Sequence, residues 1–168
     1  MRIVVNDANI LIDLVELELL PHFFDLEFEF QTTDLIIDEL LEDQINALLP
    51  YIDQGILIVE EMTEEDILEI KLIELSKPTL SPQDCSAYYH AKRISCTLLT
   101  SDNSLRRFAK ENEIDIHGHL WVFDQMVASN TIAGQRAAEK LTELSEVVNT
   151  RLGLPATECR KRITKWTS

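Results

Sequence analysis

Residues 3–20 read IVVNDANILIDLVELELL and contain two different patterns of apolar residues. The first part, residues 3–5, is short, apolar and rich in β-branched residues, and it leads to an acid, Asp7, which is typical of a buried strand. Beyond that acid, leucines and isoleucines recur at roughly helical spacing until Pro21 stops them. A strand that leads directly into a helix is the repeating unit of an α/β fold.

The same strand–helix unit recurs along the chain. Further strands are predicted at residues 26–31, 56–59, 96–100 and 114–118, and helices at residues 34–41, 45–52, 63–76, 81–94 and 103–112. Because parallel strands need crossover connections, this alternation predicts a layered α/β/α fold around a central, mostly parallel sheet of about four to five strands. Two or three helices complete the chain, with breaks near Thr131 and Gly153. We therefore expect an α/β domain over residues 1–128 and a helical extension, residues 129–168, packed on the same domain.

Length and composition favour a single globular domain. The chain has 168 residues, of which 45% are hydrophobic, enough for one core of ordinary size. No apolar run approaches the roughly 20 residues of a transmembrane helix, and Asp7 comes too early for the apolar region of a signal peptide. We therefore expect a cytoplasmic protein without a membrane span. The three cysteines are odd in number and lack a paired metal-binding spacing, so neither a disulfide framework nor a structural zinc is expected.

The negative charge is concentrated in the first half of the chain. The net charge is −15, which taken alone disfavours nucleic-acid binding because phosphates would be repelled. Residues 1–74, however, hold twenty acids and two bases, whereas residues 75–168 hold ten acids and thirteen bases. An anionic polymer can therefore meet the second half, above all if a divalent cation offsets part of the charge of the first.

Four acids fall where an open α/β sheet gathers its ligands, outside the carboxyl ends of the strands. Asp7 ends the first strand, and Asp102 follows the strand at residues 96–100, so both can enter one crevice if these strands are neighbours. Asp84 opens the helix that precedes this second strand. Glu39 lies on a helix, next to its apolar stripe.

Around these acids the sequence resembles the motifs of PIN-domain nucleases, and among them the VapC-type toxins of toxin–antitoxin pairs. The similar segments are IVVNDANILI at residues 3–12, IDEL at residues 37–40, LSPQDCSA at residues 80–87 and LLTSDNSLR at residues 98–106. They occur in the family's order, over about residues 1–128, whereas the helical tail, which is seen in some relatives, carries no catalytic motif of the family. The resemblance implies a PIN-like fold and metal-dependent endonucleolytic hydrolysis of RNA.

The resemblance also assigns the site. It implies that the catalytic residues are the four acids, which coordinate Mg²⁺ or Mn²⁺ directly or through water: Asp7, Glu39, Asp84 and Asp102. Three further residues are expected to support these ligands or to contact a phosphate: Asn9, Thr100 and Asn103. The basic residues expected to contact RNA are Lys92, Arg93, Arg106, Arg107 and Lys110.

Such a group of acids needs a cation for a physical reason. Two carboxylates about 5 Å apart repel by roughly 3 kcal/mol at an effective dielectric constant near 20, so four of them cannot all remain ionised without help. Hard oxygen ligands favour Mg²⁺ or Mn²⁺. A bound ion lowers the pKa of a coordinated water and stabilises charge on a leaving oxygen, which suits hydrolysis of a phosphodiester.

Two of the acids also have a structural interpretation. Asp84 is the third residue after Ser81 and could serve only as its partner in a helix cap. Glu39 sits among other acids and could belong to a solvated helix face. The order and spacing of all four acids together favour the metal-dependent nuclease.

Other polar residues are expected to be structural or exposed. His117 and His119 suggest a pair of metal ligands, but two histidines without a third partner nearby are more typical of a surface or loop. His90 is expected to be structural. Asp13, on the first helix, is expected to be exposed to solvent.

Three functions remain open at this point. The first is the toxin of a toxin–antitoxin pair, with a cognate antitoxin protein as partner and a homodimer as a further assembly. The second is a housekeeping RNA-processing nuclease, and the third is a catalytically inactive PIN-fold module that binds other proteins. Metal binding separates the third from the other two, and substrate and phenotype separate the first from the second.

Overall fold

The computed structural model describes residues 1–168, and its sheet consists of five strands. They are β1 (Arg2–Asn6), β2 (Phe28–Thr33), β3 (Leu57–Glu60), β4 (Thr97–Leu99) and β5 (Ile116–His117). All four pairings between neighbouring strands are parallel, in the order β3-β2-β1-β4-β5. The predicted parallel sheet and its number of strands are therefore confirmed.

Helices cover the connections between the strands, as parallel pairing requires. They are α1 (Ala8–Glu16), α2 (Leu20–Phe24), α3 (Asp34–Asp38), α4 (Glu42–Asp53), α5 (Glu64–Ser76), α6 (Pro82–Arg93), α7 (Asn103–Glu111), α8 (His119–Ala128), α9 (Gly134–Glu143) and α10 (Ala156–Thr167), with a π-helical turn at Leu144–Val148. No helix combines the length and the apolarity that crossing a lipid bilayer demands.

The order of the strands reverses at β1. The chain moves from β1 to β2 and β3 on one side, and then returns to place β4 and β5 on the other. Val4 of β1 lies in register with Phe30 of β2 and with Thr97 of β4. Such a reversal opens a crevice outside the carboxyl ends of the two central strands, here β1 and β4. The condition under which Asp7 and Asp102 can enter one crevice, that these two strands are neighbours, is therefore met.

The core lies on both faces of the sheet, which explains why its strands are apolar rather than alternating. Val4 and Val5 are both fully buried, as are Leu98 and Leu99, although successive side chains of a strand point to opposite faces. Phe30 of β2 packs against an aromatic pair from α2, Phe23 and Phe24, with ring centroids 4.8 and 5.0 Å away.

Two predicted boundaries differ from the structure. The second strand runs over Phe28–Thr33 rather than residues 26–31, because its β-branched threonines continue the ladder and pair as far as Glu60. The following helix, predicted to reach residue 41, ends at Asp38. Thr33 caps this helix through a bond from the N–H of Ile36.

The C-terminal helices pack on the rest of the chain. Ala137, Leu141 and Leu144 are buried in the same hydrophobic core as the sheet. Arg162 of α10 binds both carboxylate oxygens of Asp124 in α8, at 2.8–3.1 Å. The tail is thereby fixed beside the carboxyl ends of β4 and β5.

Candidate active site

Three of the four predicted acids stand at the beginning of a helix. Asp7 is the N-cap of α1, Asp102 is the N-cap of α7, and Asp84 is the third residue of α6. A helix N-terminus presents free N–H groups and a positive partial charge, so it favours a carboxylate at this position. Asp7 and Asp102 follow the carboxyl ends of β1 and β4, which brings both to the crevice at the strand-order reversal.

Asp7 is enclosed by the protein. Its side chain accepts a hydrogen bond from the N–H of Ala8 at 2.8 Å and another from the hydroxyl of Thr100 at 2.7 Å. The residue is 1% exposed. Burial, together with repulsion from Asp84, raises the pKa of Asp7 to about 7. This carboxyl therefore changes its charge near neutral pH, where a proton or a cation can compete for it.

Asp84 forms the helix cap that its spacing predicts, without using both of its oxygens. Its backbone N–H donates to Ser81 Oγ at 3.0 Å, and its Oδ2 accepts from the N–H of Ser81 at 3.1 Å. Its Oδ1 accepts no hydrogen bond from the chain. Burial raises the pKa of Asp84, the bonds from Ser81 oppose this shift, and repulsion from Asp102 adds to it. Capping and a place in an acidic cluster are therefore compatible.

Glu39 lies directly after the last residue of α3 rather than within this helix. It is the C-cap of this helix and its side chain accepts no hydrogen bond from the chain. Although the residue is exposed, partial burial of the carboxyl raises its pKa, and repulsion from Asp84 raises it further. Glu39 is therefore not an isolated solvated charge, because repulsion from Asp84 contributes to the rise in its pKa.

Electrostatic repulsion links the four acids, and Asp84 is the acid that most of these interactions share. Asp7 and Glu39 both feel its charge, Asp84 in turn feels that of Asp102, and Asp7 also feels that of Glu39. In this arrangement no three acidic, histidine or cysteine side chains lie close enough together to enclose a cation. The acids therefore influence one another's ionisation without forming a closed set of ligands. Asp102 uses only Oδ1 for its cap, in a bond from the N–H of Leu105 at 2.8 Å.

Thr100 connects two of the acids. Its buried hydroxyl donates to Asp7 and also accepts from the backbone N–H of Asp102 at 3.1 Å. Asn9 and Asn103, which were expected to support the ligands or to contact a phosphate, are exposed near the start of α1 and α7. Their side chains make no hydrogen bond within the chain. They are free to bond to a ligand.

The predicted basic residues divide into two groups. Arg106 donates to the carbonyl of Thr100 at 2.9 Å and, with the exposed Arg107 and Lys110, lines a concavity of about 520 Å³. These three residues belong to the helix that begins beside Asp102.

Lys92 and Arg93 lie elsewhere. They end α6, about 13 Å along the helix from Asp84. Arg93 forms an ion pair with Asp66 at 2.9 Å, and Lys92 borders a cavity of about 740 Å³ that also contains Met1. The structure does not bring them to the acids.

Two expectations about polar residues are wrong. Asp13 was expected to be exposed and His119 to lie on a surface or loop, yet both are buried, and Asp13 Oδ2 lies 2.8 Å from His119 Nε2. The same oxygen accepts from Asn149 at 2.9 Å, and His119 Nδ1 lies 2.6 Å from Ser101 Oγ. This network runs from the C-terminal tail to Ser101, which separates Thr100 from Asp102.

The position of Asp13 could have been found from the sequence. Ile10, Asp13, Leu14 and Leu17 follow helical spacing, so an acid occupies a core-facing position of α1. No local signal identifies His119 as its partner, because the two residues are far apart in the chain. His90, expected to be structural, is buried with Nε2 at 2.7 Å from the Gln31 carboxamide oxygen.

The sequence was also compared with known proteins. A family model described as DUF3368: PIN domain matches residues 3–166. This match includes all four acids and extends through most of the C-terminal helices, beyond residues 1–128. A search of curated proteins found no match.

Proposed function

The chain belongs to the PIN-domain family, whose members are generally nucleases, and from this membership we propose that it is an endoribonuclease that hydrolyses RNA phosphodiester bonds with Mg²⁺ or Mn²⁺. The observation that carries the proposal is that Asp7 and Asp102 begin helices beside the crevice between β1 and β4, where the strand order reverses. The electrostatic influence of Asp84 on Asp7 and Glu39, and of Asp102 on Asp84, supports the inclusion of the other two acids. Burying carboxylates together is costly unless a cation or protons neutralise them. Helix capping accounts for one oxygen of Asp84 and one of Asp102, but it does not account for the buried, repelled carboxyl of Asp7, which supports a functional role.

The donor set suits a hard divalent cation. We assign Asp7, Glu39, Asp84 and Asp102 to its coordination, directly or through water, because carboxylate oxygens are the ligands that Mg²⁺ and Mn²⁺ prefer. When bound, the ion supplies an activated water and stabilises the leaving oxygen. Thr100 keeps Asp7 in position through its hydroxyl. Asp84 Oδ1, Asp102 Oδ2 and both oxygens of Glu39 accept no hydrogen bond from the chain and are free to act as ligands.

The charge around the acids supports RNA as the substrate. Arg106, Arg107 and Lys110 follow Asp102 on α7, in the half of the chain that carries thirteen bases. Basic side chains beside the acids would attract the phosphates that the acidic first half repels. We therefore assign these three residues, with Asn9 and Asn103, to contacts with the RNA backbone.

An assay for RNA cleavage tests the proposal. The purified chain should cleave single-stranded RNA internally when Mn²⁺ or Mg²⁺ is present, and a chelator should stop the reaction. Calorimetry with Mn²⁺ should give binding that Asp84→Asn weakens and that Asp53→Asn, at an exposed acid outside the site, leaves unchanged. Absence of binding at millimolar Mn²⁺ would instead favour the non-catalytic binding module.

An exposed face of α5 supports a protein partner, as the toxin role requires. Leu68, Leu72 and Leu75 are 63%, 59% and 78% exposed and lie on one side of this helix, while Ile70 on its other side is buried. Solvent-exposed leucines at helical spacing are typical of an interaction surface. Many acids lie around these leucines, whereas α5 has a single base, Lys71. The acids are Glu64, Glu65, Glu69 and Glu74.

This charge pattern selects the kind of partner. A second copy that paired through the same helix would bring two acidic rims together, whereas a basic amphipathic helix would complement them. We therefore assign the α5 face to a basic antitoxin, as encoded beside the genes of many toxins. Harmless overexpression of the active enzyme, with no such gene nearby, would favour a housekeeping nuclease.

The partner is tested by co-expression with any small basic protein that a neighbouring gene encodes. Leu72→Asp should weaken the complex by at least about tenfold, equal to about 1.4 kcal/mol. The matched variant Leu49→Asp, at an exposed leucine of α4, should not weaken it. Light scattering of the chain alone adds a second result: a dimer that Leu72→Asp dissolves would make this face a homodimer interface and would contradict the antitoxin assignment.

A further inference from the structure

A pocket of about 450 Å³ lies beside Asp102, at the carboxyl ends of β4 and β5. Its floor includes Ser101 and Asn103, the two residues that flank Asp102, and His117 at the end of β5. This volume lies in the range of sites that hold a small organic molecule. We call it the tail pocket, for the origin of its second wall.

The second wall comes from the C-terminal segment. Leu152, Leu154 and Pro155, from the connection between the π-helical turn and α10, face the residues of the α/β core across the pocket. Arg162 of α10 also borders it, but its guanidinium is already bonded to Asp124 and Glu158. These ion pairs hold the wall in place rather than offering a free cation to a ligand.

The two walls differ in chemistry. Arg106 uses one nitrogen to bond to the Thr100 carbonyl, so other N–H groups of its guanidinium are available to an anion. Asn103 is exposed, and its carboxamide has no partner within the chain. The opposite wall of Leu152, Leu154 and Pro155 is apolar. The pocket therefore offers a guanidinium and a carboxamide for hydrogen bonds, together with apolar contact area, to one small molecule.

Trp121 borders the pocket but does not offer a free stacking surface. Its ring is stacked with that of His117, with centroids 4.4 Å apart, and with that of Phe28 at 5.6 Å. The guanidinium of Arg2 also lies over the ring, at 5.2 Å. A ligand would thus contact the edge of this stack and the apolar wall, and recognition would depend on the shape of the pocket and on Asn103.

We propose that the tail pocket binds one unpaired nucleotide of the RNA strand, next to the phosphate that is cut, and that Leu154 is a specificity-determining residue. This inference rests on the proposed ribonuclease function, because it identifies the neighbour of the scissile phosphate. A single nucleotide combines a phosphate, which Arg106 can bind, with a base that can pack on Leu152, Leu154 and Pro155. A base-paired helix cannot enter a cavity of this size, and proteins generally read RNA sequence from unpaired, splayed bases.

Direct binding tests the pocket without cleavage. Each ribonucleoside 5′-monophosphate is titrated into the full chain in the presence of a chelator, and tryptophan fluorescence is followed, since Trp121 borders the pocket. We expect saturable binding that Leu154→Ala weakens by about tenfold, because it removes apolar contact area. Asn103→Ala should also weaken it. Val147→Ala, at an exposed tail residue outside the pocket, should bind like the wild type.

Cleavage of short single-stranded RNAs that differ only in the two nucleotides at one central step gives the second readout. The wild type should prefer particular bases on one side of the cut, and Leu154→Ala should flatten this preference while Val147→Ala keeps it. If Leu154→Ala matches the wild type in both assays, the inference is overturned. If inorganic phosphate alone gives the same fluorescence change as the nucleotides, recognition of a base is likewise overturned.

The two proposals fail in different ways. Leu154-dependent nucleotide binding by a chain that cleaves no RNA would support the pocket and contradict the ribonuclease function. Metal-dependent cleavage with no base preference and no nucleotide binding would support the ribonuclease function and contradict the role of the pocket. Circular dichroism of Leu154→Ala confirms that the fold is retained, as expected for a half-buried side chain at the edge of the tail.

Discussion

Thr100 Oγ1 donates a hydrogen bond to Asp7 Oδ2 at 2.7 Å and accepts one from the backbone N–H of Asp102 at 3.1 Å. One hydroxyl thus connects the two central strands at the point where both acids emerge. Thr100→Val keeps the shape and removes both bonds, which leaves buried polar groups unpaired at a cost of about 1–3 kcal/mol. We expect lower stability in urea unfolding and a lower cleavage rate, with both restored in Thr100→Ser.

The acids themselves give the most direct prediction. Asp7→Asn and Asp102→Asn should each lower RNA cleavage by at least about a hundredfold, because they remove a charge that holds the cation and the transition state. Both variants should keep the circular dichroism spectrum of the wild type, since an amide can still accept the capping bond. Asp53→Asn serves as the control with full activity. An unchanged cleavage rate in either site variant would exclude that residue from the catalytic site.

The pKa of Asp7 predicts how stability changes with pH. Burial and repulsion from Asp84 raise this pKa from 3.8 to about 7 in the folded chain. Between these values the folded state keeps a proton that the unfolded state has lost, so the free energy of unfolding without metal falls as the pH rises, by up to about 4 kcal/mol. Urea unfolding with a chelator, near pH 5 and near pH 8, should show a smaller loss for Asp7→Asn.

A bound metal ion should reverse part of this dependence of stability on pH. A cation that binds Asp7 displaces its proton, so the apparent affinity for Mn²⁺ should rise with pH up to about 7. The increase in melting temperature on addition of Mn²⁺ should therefore be larger near pH 8 than near pH 5. An equal increase at both values would show that Mn²⁺ binds away from Asp7.

The buried contact between Asp13 and His119 predicts a large coupling energy. His119→Leu leaves the Asp13 carboxylate with Asn149 as its remaining side-chain partner and should destabilise the chain by about 3 kcal/mol. The double variant with Asp13→Leu should lose less than the two single variants together, by at least about 1 kcal/mol. Additive losses in urea unfolding would contradict a direct interaction between these two side chains.

Gly118 predicts a variant that affects the site through space. A Cβ atom at this position would lie 2.5 Å from Ser101 Oγ and 2.9 Å from a terminal nitrogen of Arg106. Gly118→Ala should therefore displace the Ser101 hydroxyl and the Arg106 guanidinium and lower cleavage by about tenfold, since small misplacements of groups at the site are costly. Gly55→Ala is not a matched control, because Gly55 has a positive φ. Ala128→Gly, on the exposed end of the next helix, should leave cleavage unchanged.

The parallel sheet and the placement of three of the four acids follow from patterns that are local in the sequence. Asp7, Asp84 and Asp102 each stand where a strand ends or a helix begins, and such positions are recognisable from the apolar runs beside them. Glu39 was harder to position, because the end of a short helix depends on packing rather than on propensity. Whether Glu39 comes near Asp84 depends on how α3 and α6 pack against the sheet.

The parts that sequence could not predict depend on contacts across the fold. Asp13 has a local signal, its core-facing position on α1, but nothing near it indicates that His119 and Asn149 are its partners. The tail pocket is a similar case, because residues 152–155 have no feature that relates them to Ser101. Such pairs arise from tertiary packing, and no periodic pattern in the sequence indicates them.

The central position of β1 affects when the crevice can form during synthesis. This strand is made before the other four, whereas its neighbour at the reversal pairs through Thr97, which is made much later. At a synthesis rate of roughly 5–20 residues per second, β1 is translated roughly 5–20 seconds before β4. A nascent chain that stops before Asp102 therefore carries Asp7 without its crevice. Any activity that depends on this crevice begins only after most of the polypeptide has been translated.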